Sequence, residues 1–200
     1  MQKIIAWLFI FFAVLIWSGI NPKDYFTWFL EVVPALIGLL VMSVTYKKFP
    51  LTPMLYVLIL LHSIVLMVGG HYTYAEVPLF DSFKEWFGFE RNNYDKVGHF
   101  MQGFVPVMVA REIVIRKNVF KSKGWMIFFI VSFVLAFSAF YELVEWAVAQ
   151  MSGEGAEAFL GTQGYVWDTQ SDMAWALFGS IVALVLLSHY HDSVLKKGYL

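Results

Sequence analysis

The sequence predicts an all-α, polytopic membrane bundle: six transmembrane helices in one domain, residues 1–200, with both termini cytoplasmic. Three observations carry that expectation. The 200-residue chain is 60% hydrophobic and 14% charged, with mean hydropathy +0.66, whereas a soluble domain carries about 25% charged residues. Its apolar residues come in runs that suit a bilayer core of about 30 Å. Its basic residues gather in alternate connections, as the positive-inside rule requires of a polytopic protein.

Residues 1–20 carry one lysine and lack a good small-x-small cleavage site, which favours a retained first span over a signal peptide. The second run, 28–46, contains Pro34, which neighbouring helices can accommodate in a membrane. A third covers 54–70, a fourth 95–115, a fifth 125–150 and a sixth 172–189. Lys3, Lys47, Lys48, Arg116, Lys117, Lys121, Lys123, Lys196 and Lys197 then fall on one side, the expected cytoplasmic side. The connections holding Glu76, Asp81, Glu85, Glu90, Glu154, Glu157 and Asp168 are net acidic and face outward. Between the third and fourth runs, Leu79, Phe80, Phe83, Trp86 and Phe87 recur at helical spacing with polar residues between them. That pattern fits a short amphipathic helix in the outer interface, and equally an ordinary aromatic belt.

The polar residues inside these runs are not scattered. Asp95 and His99 stand four apart, so on a helix both leave one face, one turn apart. The topology brings His71, Glu142, Glu145, Asp168 and Asp172 to the same outer level, while Glu31 and the pair Arg111-Glu112 lie elsewhere. Ionisable groups in a membrane are costly and mark sites. Each also has a plainer reading. Asp95 suits a helix N-terminus, and Thr169 with Asp172 has the spacing of a capping box. Glu142 and Glu145 are harder to explain away, because two neighbouring buried carboxylates repel unless a proton, a cation or a metal lies between them. Arg91 and Lys96 are near enough to compete for them.

Imidazoles and carboxylates without sulfur suit a divalent metal of hard or borderline type: zinc, manganese, iron or magnesium. The chain has no cysteine, which excludes disulfides, thiolate ligands and a cysteine nucleophile. His-Glu-x-x-His, a Gly-x-Ser-x-Gly elbow and a phosphate-binding glycine loop are also missing, as are the Glu-x-x-His pairs of di-iron bundles. The net charge of −1 suggests no nucleic-acid surface.

Four strings carry a resemblance: Gly70-His71-Tyr72-Thr73-Tyr74, the stretch Arg91 to Phe100, Tyr141-Glu142-Leu143-Val144-Glu145-Trp146, and the stretch Gly161 to Met173. They resemble the YjdF family of bacterial inner-membrane proteins, over nearly the whole chain. More loosely, they resemble VanZ-like membrane proteins, which have an Asp-Lys-x-x-His start and a late acidic helix. The resemblance implies a multi-pass protein of the bacterial inner membrane and names no reaction.

The leading expectation is a metal-dependent membrane enzyme of hydrolase type, acting on a lipid or lipid-linked substrate. His71, His99, Asp168, Asp172 and Glu142 are the expected ligands, with Glu142 or Glu145 as general base and Asp95 orienting His99. Two other readings compete. One is a proton- or cation-coupled transporter using Glu142 and Glu145, which requires a polar path to the cytoplasm. The other is an assembly protein whose helices pack through small residues such as Ser132, Ala136, Gly179 and Ala183.

Overall fold

The computed structural model describes residues 2–152 and 162–199. Every described element is helical: α1 (Gln2–Ser18), α2 (Tyr25–Thr45), α3 (Pro53–Tyr72), a 3-10 turn (Tyr74–Glu76), α4 (Pro78–Phe87), α5 (Tyr94–Arg116), α6 (Lys123–Ser152) and α7 (Asp168–Leu195). Glu154 and Glu157 of the orientation argument, and Gly161 of the last string, lie outside the described residues.

Local chemistry sets the boundaries. The Asp24 carboxylate accepts from the Thr27 amide at 2.7 Å and caps α2. Proline opens both α3 and α4, where its missing N–H costs nothing. Gly88, at φ +68°, closes α4 in the left-handed region while the Phe89 amide bonds back to Lys84. The amphipathic helix expected over 79–87 is therefore present, with Leu79, Trp86 and Phe87 exposed.

Among the described residues, α2, α3, α6 and α7 are long and apolar enough to cross a membrane. Helix α1 is apolar but has 17 residues. Helix α5 has 23 residues, but Asp95, Lys96, Arg111, Glu112 and Arg116 dilute its apolar character. The molecule's polarity runs opposite to that of a soluble protein. Phe9, Phe29, Phe128, Phe140 and Val185 face outward, while Glu31, Asp95, His99, Arg111, Glu112 and His191 are buried. An apolar exterior around a polar interior is what lipid demands, since unpaired polar groups there lose water without replacement.

Helix α5 is the axis. It packs most extensively on α7 and also on α3 and α6, while α1 and α2 flank α3. One apolar layer joins Leu55, Val107, Met108, Ile130, Val134 and Ala183 across α3, α5, α6 and α7. A second joins Phe11, Val32, Ala35, Leu60 and Met67 across α1, α2 and α3.

Contact between α5 and α7 is backbone on backbone. A Cβ at Gly103 would land inside the Ala176 carbonyl, and one at Gly179 inside the Phe100 carbonyl. Gly179 and Ala183 were expected to allow close packing; Gly103 supplies the reciprocal notch. Replacing Gly103 by Val should part these helices and cost about 1–3 kcal/mol, as overpacking does. Thermal unfolding of the purified protein in detergent measures it. A Gly103→Val protein as stable as wild type would contradict the close approach.

Candidate functional site

The site lies where α5, α6 and α7 meet at the end of the bundle that holds the start of α5. Four residues after Asp95 the α5 face returns, and His99 Nε2 stands 3.2 Å from Asp95 Oδ1. The same nitrogen lies 3.7 Å from Asp172 Oδ2. On the other side of the ring, Nδ1 lies 3.3 Å from Gln102 Oε1 and 3.8 Å from Glu142 Oε1. Both ring nitrogens therefore face oxygen acceptors. A neutral imidazole has one N–H, so the second nitrogen needs another proton or a cation. Two overlapping groups have ligand atoms within 4.8 Å of one another: Asp95, His99 and Asp172, and His99, Glu142 and Glu145. Either could hold a metal.

The groups differ in how their charge is balanced. Lys96 Nζ sits 2.6 Å from Asp172, 3.1 Å from Asp168 and 3.4 Å from Asp95. Arg91 pairs with Asp168 and lies 3.3 Å from Asp95. Asp95, Asp168 and Asp172 thus share two fixed cations. Glu142 and Glu145, both buried, have no lysine or arginine partner among the ion pairs of the described residues; His99 is the group paired with Glu142, at 3.8 Å. Glu142 Oε1 is buried with no hydrogen-bond partner. An orphaned carboxylate oxygen beside an imidazole leaves a place for a proton or a cation between them.

A family model described as predicted membrane protein (DUF2238) matches residues 3–193. The chain belongs to that family. It is 48% identical over 184 residues to the inner membrane protein YjdF of Escherichia coli strain K12, covering 92% of this chain and 88% of that one. No solved structure matches the chain significantly.

Within this DUF2238 protein, the structure brings together Asp95, His99, Glu142, Glu145, Asp168 and Asp172. It does not bring in His71. That side chain leaves α3 toward α1, with Nδ1 3.0 Å from the Ser18 carbonyl and its ring 4.6 Å from that of Trp17. The expected level was met and the expected face was not: each helical residue turns about 100°, and the inward face at this point belongs to Gly70, against Glu31. Asp168 is close, but it is engaged by Arg91 and Lys96 and stands in neither metal-type group. The capping box is not formed either. Helix α7 starts at Asp168, so Thr169 already lies inside it, while Asp172 holds Lys96.

Glu31, set apart by the sequence reading, is buried within electrostatic reach of Asp95, His99 and Glu145. Tyr74 lies near enough to interact with it. Burial pushes the Tyr74 phenol well above its usual range. Its ring fills the space that side chains at Gly69 and Gly98 would occupy. Glu31 sits two turns into a helix starting at this end, the one sequence signal that could have placed it.

The connections are latched as well. Asn92 and Gln163 exchange bonds, amide N to Oε1 at 3.0 Å and Nε2 to the Asn92 carbonyl at 2.9 Å. The Asn92 side chain also donates to Val77 and Asp81. This ties α4 and the approach to α7 onto the start of α5.

The opposite end holds a second buried network that the sequence reading missed. Glu112 accepts from the Thr52 amide at 3.0 Å, the Thr52 hydroxyl at 2.7 Å, Arg116 at 2.9 Å and His191 Nε2 at 3.0 Å. Arg111 lies 2.9 Å from His191 Nδ1 and can only donate, so that nitrogen accepts and the ring proton sits on Nε2. Every partner is satisfied, which marks a structural clamp joining α3, α5 and α7. The sixth apolar run ended at 189, two residues short of His191.

Lys96 is the cation on which the acidic cluster depends. Changing Lys96 to Met should destabilise the protein by about 3–5 kcal/mol, the cost of stranding buried charge. Adding Asp172→Asn should recover part of that loss, since residues in contact are not additive. Unfolding of the two single variants and the double variant checks this. Additive losses would mean the pair is not coupled.

Proposed function

We propose that this protein is a six-span protein of the bacterial inner membrane, with both termini cytoplasmic, and a metal-dependent enzyme of hydrolase type. Its substrate is a lipid or lipid-linked molecule. The observation that carries the metal reading is the orphaned Glu142 Oε1, 3.8 Å from His99 Nδ1, beside a buried Glu145. The lopsided loop charge supports the orientation, and the name of the Escherichia coli relative supports the membrane.

His99 Nδ1, Glu142 and Glu145 would hold the ion, with Asp172 next nearest. An imidazole and two carboxylates suit zinc, manganese or iron, and magnesium less well. A bound ion there would supply Lewis acidity and activate water. Asp95 Oδ1, 3.2 Å from His99 Nε2, would hold that nitrogen's proton and leave Nδ1 for the ion. The glutamate oxygen not used as a ligand serves as the general base. Lys96 and Arg91 hold Asp95, Asp168 and Asp172 in place.

The transport reading needs a polar path to the other end. Between His99 and the Glu112–His191 network lies the layer of Leu55, Val107, Met108, Ile130, Val134 and Ala183. That layer favours an enclosed reaction site over a conduit.

Metal analysis of protein purified without chelators tests the proposal. Near-stoichiometric zinc, manganese or iron is expected in wild type, falling at least tenfold in His99→Ala and Glu142→Gln, a tenfold change being about 1.4 kcal/mol of binding. His71→Ala should keep its metal. Wild-type protein that is metal-free and binds none of these ions on titration would overturn the reading.

A further inference from the structure

Helix α6 buries one stripe against the bundle: Ile130, Val134, Ser138, Glu142 and Glu145. Spacings of three and four residues put them all on one face. Ile130 and Val134 belong to the apolar layer that separates the two polar clusters. Ser138 is the first polar position of the stripe beyond that layer, one turn from Glu142. It is fully buried, and its hydroxyl has no hydrogen-bond partner. The other buried serines of the described residues differ. Ser18 bonds the Leu15 carbonyl at 2.9 Å, Ser63 the Ile59 carbonyl at 2.8 Å and Ser180 the Leu177 carbonyl at 2.7 Å. A helical serine commonly settles its hydroxyl this way, on a carbonyl of the preceding turn. Ser138 has the same carbonyls behind it and does not use them. An unmet buried hydroxyl costs stability, so a second polar atom at that spot calls for a partner.

We infer that Ser138 is a further ligand of the proposed metal site, its hydroxyl oxygen meeting the ion together with Glu142 Oε1 and His99 Nδ1. The inference rests on the metal reading and deepens it by adding a donor that charge and spacing alone do not reveal. Residues four apart on a helix have Cβ atoms about 5–6 Å apart. Side chains lean toward the helix N-terminus, so Glu142 leans back toward Ser138. Yet neither the Ser138 hydroxyl nor Glu142 Oε1 finds a hydrogen-bond partner, each other included. One ion answers both. With oxygen ligands about 2.0–2.2 Å from it, an ion joins two atoms that stand too far apart to hydrogen-bond. A hydroxyl is a hard oxygen donor of the kind that holds magnesium in phosphate-binding loops. It adds no charge, so two carboxylates still balance one divalent ion. Glu145 completes the set from the same face, within ligand range of Glu142 and His99. Three donors then come from one rigid helix, and α5 supplies only His99.

The test strips the full-length protein of metal in detergent and titrates it with cobalt(II), whose absorption reports its ligands. The chain has no cysteine, so Ser138→Cys places a single thiol at the position in question. A thiolate bound to cobalt absorbs strongly in the near ultraviolet, because sulfur is a soft, charge-donating ligand. Ser138→Cys should gain that band as cobalt is added. Wild type should lack it, and so should Phe140→Cys, whose thiol replaces an exposed ring on the outer face of the same helix. Ser138→Ala should fold as well as wild type, since it removes an unmet hydroxyl, and should bind cobalt roughly tenfold more weakly. Cobalt-loaded Ser138→Cys without the thiolate band overturns the inference, as does Ser138→Ala with wild-type affinity. A band of equal strength in Phe140→Cys overturns it too, because the thiol would then report no particular place. Wild type that binds no cobalt sinks the metal reading and this inference with it; wild type that binds cobalt while both Ser138 variants behave as non-ligands sinks this inference alone.

Discussion

The structure turns on Lys96 among Asp95, Asp168 and Asp172. Carboxylates brought within about 4 Å at an effective dielectric of about 20 repel by about 4 kcal/mol per pair. Two helices whose ends carry three such groups separate unless a cation lies between them. Lys96 lies there, with Arg91 alongside. Only then can α5 and α7 approach until the Gly103 and Gly179 notches meet the opposing carbonyls. The charge contact fixes register and the glycines fix distance. Neither holds the pair alone: glycines without the cation bring acids together, and the cation without the glycines cannot reach both helices.

That arrangement leaves the site in two unequal halves. On the Nε2 side of His99 the acids are already neutralised by fixed cations. On the Nδ1 side, Glu142 and Glu145 face the ring with one carboxylate oxygen unpaired, and Glu31 adds a further buried acid behind them. Buried groups that serve packing are normally satisfied, as Glu112 is at the opposite end with four donors on it. The two clusters thus differ within one molecule: the Glu112 network is satisfied, and the Glu142 side is left with an unpartnered carboxylate oxygen.

The sequence revealed depth better than direction. Runs of apolar residues located the helices to within a few positions, and the four-residue spacing of Asp95 and His99 correctly put them on one face. Direction needs packing partners. His71 shares the level of the cluster but points to Trp17 and Ser18, because inward space at that turn of α3 is taken by Glu31 and Trp28 against Gly70. Charged residues near helix ends also hid both ends of α7: Asp168 and His191 lie beyond the apolar run, yet both are buried with partners from α5. Hydropathy reports what faces lipid, so it falls silent where a helix end is covered by protein.

The two polar clusters also constrain what the protein can do together. Glu112, His191 and Thr52 pin α3, α5 and α7 at one end, and the Leu55–Val134 layer sits between that pin and His99. A bundle clamped there resists opening through its length, so exchange with the surroundings falls to the other end. At that end Asn92 and Gln163 latch the connections over α5, and the cavity beside Lys96 remains as the approach. It opens between the aromatic side chains of Phe80 on α4, Phe100 on α5 and Trp175 on α7. Any approach to the acids from that side passes these rings and then Lys96 and Arg91, whose charges are already met by Asp95, Asp168 and Asp172.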